Sequence, residues 1–516
     1  NLHRLAFDDD RVQLLLCLGD AADWLPEIVA RVDAFYLDGF TPSRNPQMWQ
    51  PRLFKAMGRM AAPGATAATW SSARAVKDGL RAAGFEVGKQ PGVGGKFENI
   101  VARHAPAFVP KASPSRQRAI SPDRGHALVI GAGLAGCASA WALAGQGWTS
   151  TVIDARSEPA EETSGNPAGL FHGIVNPQDG AHARFNRAAA MEAQRVFSGL
   201  MRDDPALGQM TGLLRLDSSG SGADAMRAAL AHLGLPGDYV QALGADEASS
   251  LAGMPLSQPA WFYPGGGWLR PAALCRAFLA KAAGQTSFAG NTRVHALRPS
   301  DGQWHALDAD GQTLASGDAV VLANAGDALR LASSAAWPMQ PVRGQLSIAH
   351  AAGMALPRIP VAGSGYLLPA VDGRVIFGAT TQPSDADTAC RDEDHRHNLS
   401  QAERLTGNDA WSHLPISSLE GRVGWRWQTD DRLPVIGGVP LPMSQLEGTR
   451  LDQPRFVARQ PGLFAFTGLA SRGITWCALG AQLLASFVTG SPAPLEASLI
   501  DAVDAARFAS RQARRG

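Results

Sequence analysis

Cysteine is scarce: the chain's 516 residues hold five, Cys17, Cys137, Cys275, Cys390 and Cys477, and no two form a CxxC pair. A scattered, odd-numbered set excludes a disulfide scaffold and the usual zinc spacings, so the chain reads as reduced, cytoplasmic and without metal. No basic segment followed by an apolar run precedes the globular pattern, which argues against a signal peptide, and a first residue of Asn1 rather than Met suggests a truncated start. Repeats and heptads are absent as well. Charged residues are only 18% and hydrophobic ones 45%, which excludes a disordered or fibrous chain, and the length supports two or more cores. Net charge is almost lacking at +1, yet it is unevenly spread. Residues 1–124 carry 17 Lys and Arg against 12 Asp and Glu, and Arg44 to Arg124 alone holds 14 against 4. Such a stretch is either a solvated basic face or the footprint of a polyanion.

The longest uncharged run, Ala127 to Gly145, approaches bilayer-spanning length. It opens with Leu128-Val129-Ile130, breaks at Gly131, Gly133 and Gly136, and resumes rich in alanine, which predicts a strand, a turn and a helix rather than a membrane span. In this GxGxxG spacing Gly131 permits the tight turn, Gly133 lets backbone approach a pyrophosphate, and Gly136 lets helix and strand pack closely. Asp154, 18 residues beyond Gly136, ends the next strand and stands where a ribose-binding acid is expected. NAD and FAD share this fingerprint. The C-terminal stretch 463–490 favours FAD, because a strand, Gly468 and Gly473 around Ser471-Arg472, and a helix would aim a helix N-terminus at the charge a reduced flavin carries.

At these residues the chain resembles the D-amino-acid oxidase-like FAD oxidoreductases. Further matches are Ser164-Gly165-Asn166-Pro167-Ala168-Gly169, the run 318–326 ending in Gly326, Pro341-Val342-Arg343-Gly344-Gln345, and Gly424-Trp425-Arg426-x-x-Thr429-x-Asp431-x-x-Pro434-x-x-Gly437. The resemblance implies a two-subdomain FAD-binding fold with an antiparallel substrate sheet over residues 126–500. It also implies FAD contacts at Asn166, Ala168, Gly326, Gly468, Gly473 and Ile474, and hydride removal from a carbon beside an amine.

Residues 106–125, with Pro106, Pro110, Pro114 and Pro122, read as a basic linker, and 501–516 as a basic tail. Before the linker, 12–19 and 32–38 read as buried strands, Pro51 to Met60 as a helix and Gly64 to Trp70 as another strand, so the whole is an α/β protein. The second strand runs into Leu37-Asp38-Gly39-Phe40-x-Pro42-x-x-Asn45-Pro46-x-Met48-Trp49. This string, ahead of an FAD domain, resembles the methyltransferase half of the bifunctional tRNA 5-methylaminomethyl-2-thiouridine biosynthesis family. The resemblance implies that residues 1–105 are part of a Rossmann-like S-adenosylmethionine-dependent methyltransferase domain. Asp20 would then contact the adenine and Asp38 would lie near the transferred methyl. The glycine-rich loop after a first strand is missing, so S-adenosylmethionine is expected to serve only the complete protein.

The implied substrate is tRNA with a modified wobble uridine, from which the FAD domain removes a carboxymethyl group before methylation; no membrane or protein partner is evident. A substrate carboxylate calls for guanidinium, and Arg343, Arg422, Arg426 and Arg472 are the candidates, with at most two expected to touch it. Two other readings stay open: an oxidase of free amino acids or sarcosine-type amines, and a tRNA-binding flavoprotein without catalysis.

Overall fold

The uncharged run beginning at Ala127 folds as the strand His126–Ile130 and the helix Leu134–Ala144. Strand residues Ala127 to Ile130 are all buried, as is nearly every helix residue, so both must be apolar on all sides. Among the described residues no helix is long and apolar enough to cross a membrane. The computed structural model describes residues 2–8, 11–92, 98–108, 124–332 and 337–514. It divides into two compact units, Asn1–Pro122 with Ser486–Asp501, and Asp123–Ala485 with Ala502–Gly516. Residues 486–500, assigned from sequence to the FAD domain, therefore group with the front unit. Most of the proline-rich linker, 109–123, lies outside the described residues, as does 93–97.

The larger unit holds two main sheets. In the first, Thr286–Ala289, Thr149–Ile153, His126–Ile130, Ala319–Leu322 and Arg459–Thr467 run parallel in that spatial order, and Val435–Pro440 closes the edge antiparallel. Ligands of such sheets bind beyond the carboxyl ends of the strands. The second sheet has nine strands, built around the long strand Met339–His350, which pairs with Glu420–Thr429 and Arg374–Gly378. It is not wholly antiparallel: Leu213–Leu216 runs parallel to Val361–Ala362.

Alternation along Met339–His350 decides the fate of one predicted site residue. Gly344 and Leu346 face a large cavity, so Arg343, Gln345 and Ser347 face the other way, against the helix Asp392–Thr406. There Arg343 is fully buried. It donates to Asp394 Oδ2 at 2.6 Å, to the Asp387 and Ala389 carbonyls, and to Gln382. Arg343 is thus a structural ion pair and not a substrate ligand. Removing one partner of such a pair strands the other charge in the interior, so Arg343→Met is expected to destabilise the unit by about 3–5 kcal/mol. Chemical denaturation checks this, and adding Asp394→Leu should recover much of the loss.

The basic tail is partly built into the fold. Arg507, on the helix Arg507–Ala513, is 1% exposed and donates to both Asp431 oxygens at 2.9 Å, and Arg511 adds a third bond. Asp431 pays for its burial through these bonds, which hold its carboxyl well below the usual range although desolvation opposes them.

In the front unit Val32–Leu37 lies parallel to Ala61–Thr69, followed by Glu98–His104 and Phe85–Pro91 in antiparallel array. The amphipathic helices Pro51–Met60 and Arg74–Ala82 bury Phe54, Met57, Val76 and Leu80 against Phe85 and Ile100. Val12–Cys17 is a strand but not a buried one. Among the described residues its strand partner is Leu2–Phe7, and Leu14 remains 44% exposed. Tyr36, at 85%, likewise departs from the buried strand expected.

Candidate functional site

The strand His126–Ile130 ends at Gly131, whose φ of +106° is one that L side chains rarely adopt. A Cβ there would stand 2.7 Å from the Ala323 carbonyl oxygen. At Gly136 a Cβ would fall 1.7 Å from the Gly131 oxygen, so the helix lies this close to the turn only because position 136 has no side chain. Gly133 is less constrained. Its φ is −80°, and a Cβ would meet Ser164 Oγ at 3.1 Å. That hydroxyl accepts from the Leu134 amide at 3.1 Å, so the 164 loop covers the start of the helix. Asp154 follows the strand Thr149–Ile153, and its carboxylate accepts from the Ala132 amide at 2.6 Å and the Arg156 amide at 2.8 Å. It therefore braces the glycine turn as well as facing the cavity.

That cavity encloses about 920 Å³. Gly131, Gly133, Asp154, Asn166, Ala168, Gly468, Gly473 and Ile474 all line it. Gly136 and Gly326 do not. Gly136 packs behind the turn, and Gly326 makes room for the Trp427 ring, which a Cβ would approach to 2.1 Å, so a contact of Gly326 with FAD is not what the structure shows. The glycine cradle, the amide end of the helix Leu134–Ala144 and the Asp154 carboxylate fit a dinucleotide. So does Asn324, whose buried Oδ1 lacks a hydrogen-bond partner among the described residues while the residue lines the cavity.

Of the four candidate arginines, two reach the cavity. Arg426 shares a face of Glu420–Thr429 with Arg422 and Gly424 and donates to the Thr380 carbonyl at 2.7 Å; burial pushes its guanidinium down, with Tyr366 opposing. Arg472 precedes the helix Gly473–Thr489, its carbonyl accepting from the Trp476 amide at 2.9 Å. Burial, then the charge of Arg215, brings Arg472 down to about 10, which leaves it a cation at neutral pH. Arg422 does not line the cavity. It donates to the Glu161 and Glu162 carbonyls and so ties down the loop before Ser164.

Two cavity residues escaped the sequence reading. His172 Nε2 lies 3.1 Å from Arg472 Nη1, and its Nδ1 2.5 Å from the Gly173 carbonyl, an arrangement that requires Nδ1–H to donate and Nε2 to accept. Burial and the charges of Arg472 and Arg215 push His172 well down, so it is neutral. Arg215 is the second. Its signal was a lone charge inside the apolar strand Leu213–Leu216. In the front unit Asp38 stands exposed where Val32–Leu37 ends, and the loop behind it is pinned by Trp49 Nε1 donating to the Phe40 carbonyl at 2.7 Å. Asp20 caps the short helix Ala21–Trp24 by accepting from the Ala22 amide, which is the commoner use of such an acid.

Residues 126–487 match the FAD-dependent oxidoreductase family and residues 1–105 an S-adenosyl-L-methionine-dependent methyltransferase family. Over 99% of the chain and 79% of the relative, the sequence is 51% identical to the tRNA 5-methylaminomethyl-2-thiouridine biosynthesis bifunctional protein MnmC of Methylibium petroleiphilum. The chain belongs to the MnmC family. The MnmC of Burkholderia pseudomallei is 41% identical over the whole chain and 79% of that protein. In fold the chain is similar to glycine oxidase from Bacillus cereus, at a TM-score of 0.57 and 21% identity, over 71% of this chain and 95% of that one. L-proline dehydrogenase from P. horikoshii gives 0.58 and 17%, over 75% and 98%. As a member of the MnmC family the chain joins an FAD oxidoreductase domain to an S-adenosylmethionine-dependent methyltransferase domain.

Proposed function

We propose that this protein acts in the cytoplasm on tRNA bearing 5-carboxymethylaminomethyl-(2-thio)uridine at the wobble position, and that its larger unit oxidises that group to release 5-aminomethyl-(2-thio)uridine. The observation that carries this reading is the charge of the cavity beside the dinucleotide cradle. Arg426 and Arg472 line it, while each lining acid is already engaged, Asp154 by backbone amides, Glu162 by Arg156 and Asp327 by Arg330. Cations without acids call for an anionic substrate, and a carboxylate matches a guanidinium in shape and hydrogen bonding. Bound FAD would accept hydride from the methylene carbon of the carboxymethyl group. The resulting C=N bond takes up water and breaks to glyoxylate and the primary amine. The arginines hold the carboxylate so that the methylene is presented in one orientation, and such positioning supplies much of the rate in a reaction of this kind. Anaerobic mixing of the yellow protein with tRNA carrying the carboxymethylaminomethyl group should bleach the flavin, and glycine or sarcosine should not.

In the family's full reaction, methylation of the freed amine follows. Within residues 1–105 the described strands include no glycine-rich turn leading from a parallel strand into a helix, so we assign this polypeptide the oxidative step without methyl transfer. Binding of tRNA draws on the basic front, where Arg44 and Lys55 are exposed; Arg116 lies outside the described residues. Arg44→Glu with Lys55→Glu is expected to weaken binding and to lower the slope of log affinity against log salt by about two or more, with flavin content unchanged. Filter binding at several salt concentrations checks this, and an unchanged slope removes these residues from the footprint.

A further inference from the structure

Leu213–Leu216 is an apolar strand with Arg215 in its middle, and the sheet register shows where that charge points. Arg215 lies opposite Ala362, Ala362 opposite Tyr366, Tyr366 opposite Gly378 and Gly378 opposite Leu346. Residues directly opposite one another share a face of the sheet, and all five line the cavity. Arg215 is therefore built into the cavity wall. Its side chain makes no hydrogen bond or ion pair with any described residue. Arg472 lines the same cavity and is held by His172, whose ring lies tilted beside that of Tyr263 with centroids 5.2 Å apart. Tyr263 pairs in register with Leu213, two residues from Arg215 on the same face. The two guanidinium groups feel each other, since the charge of Arg215 is among the causes that lower Arg472. Two cations lining one cavity whose acids are already engaged are an unfavourable arrangement unless an anion joins them.

We propose that Arg215 is the second arm of a two-guanidinium clamp with Arg472, and that this clamp makes the oxidation selective for amines carrying a carboxylate. The inference rests on the proposed oxidation of the carboxymethylaminomethyl group. Its consequence concerns the end product of the modification. A methylaminomethyl group is also a secondary amine with an oxidisable C–H bond, and hydride removal from its methyl followed by addition of water would release formaldehyde and undo the methylation. That group offers the clamp no anion, so binding it leaves two cations unpaired, and sites built around buried polar contacts reject analogues lacking the partner strongly. Arg215 thereby favours the carboxylated substrate over the methylated product at the flavin.

The test compares anaerobic flavin bleaching by tRNA bearing carboxymethylaminomethyluridine and tRNA bearing methylaminomethyluridine, in the wild-type chain, Arg215→Met and Arg215→Lys. Wild type should be bleached rapidly by the first and at least ~100-fold more slowly by the second. Arg215→Met should need about tenfold or more of the first tRNA for half-maximal rate, losing one charge-assisted pair, while its rate with the second stays near wild type. At low tRNA concentration the preference then falls by about tenfold or more. Arg215→Lys, which keeps the charge without the fork, should fall between. Bound flavin absorbance reports folding for each variant, and if Arg215→Met loses flavin the lysine variant carries the comparison. Unchanged concentration dependence and preference in a flavin-replete Arg215 variant would overturn the clamp, as would a wild-type protein bleached equally by both tRNAs. A wild-type protein not bleached by the carboxymethylated tRNA would instead overturn the proposed oxidation itself.

Discussion

An alanine at position 136 is expected to leave the purified protein colourless. Its Cβ would stand 1.7 Å from the Gly131 carbonyl oxygen, and that oxygen belongs to the backbone of the dinucleotide turn. Overpacking costs about 1–3 kcal/mol even where side chains can move aside. Here the obstacle is the cradle itself, so the helix Leu134–Ala144 must lift from the turn and carry its amide end away from the pyrophosphate. Flavin retained after gel filtration, read as the ratio of visible to ultraviolet absorbance, should fall below about a tenth of wild type, equivalent to a loss of more than 1.4 kcal/mol. Gly145→Ala is the control. It lies just past the same helix with φ of −62°, and its Cβ would meet nothing nearer than 3.6 Å, so flavin should be retained. Full occupancy in Gly136→Ala would mean that the turn does not hold the cofactor.

Glyoxylate without methyl transfer is the expected outcome when the same preparation is given carboxymethylaminomethyl-tRNA and, separately, aminomethyl-tRNA with tritiated S-adenosylmethionine. The oxidative step draws on a cavity whose walls belong to the larger unit, and every element of its dinucleotide cradle is present there. The front unit offers Asp38, exposed and held by the Trp49 loop, as a group beside a reacting amine. Asp20, the other acid assigned to S-adenosylmethionine, spends one oxygen on a helix cap. Methyl transfer depends on holding the methyl in line with the amine, and loss of orientation alone can cost many powers of ten in rate. Tritium in tRNA at a rate comparable to glyoxylate release would show that these residues suffice.

The FAD turn could be read from the chain because its constraints are local. Gly131 needs a positive φ, Gly136 needs to lack a side chain, and both demands act within six residues. Gly133 differs from its two neighbours, because its backbone is ordinary and its missing Cβ meets only the Ser164 side chain among the described residues, so the demand on it comes from the cavity it lines. Asp154 was placed at the cavity by spacing, but its bond to the Ala132 amide, which braces the turn, depends on how strand and turn meet. The exposure of Val12–Cys17 was beyond reach for a different reason, since an apolar strand carries no mark of whether anything packs on it.

By itself the sequence determined the α/β class, the strand, turn and helix at the cofactor, the choice of flavin and the family, because each depends on residue types at fixed short spacings. The arginines were decided by tertiary structure. Arg343 and Arg426 sit in equally suggestive strings, but one-residue alternation along paired strands sends Arg343 to the helix Asp392–Thr406 and Arg426 to the cavity. Arg215, in a string that suggested nothing, reaches the cavity through the register of four strand pairings. Which face of a sheet is the cavity and which is covered by a helix is set by elements far apart in the chain, and no local pattern encodes it.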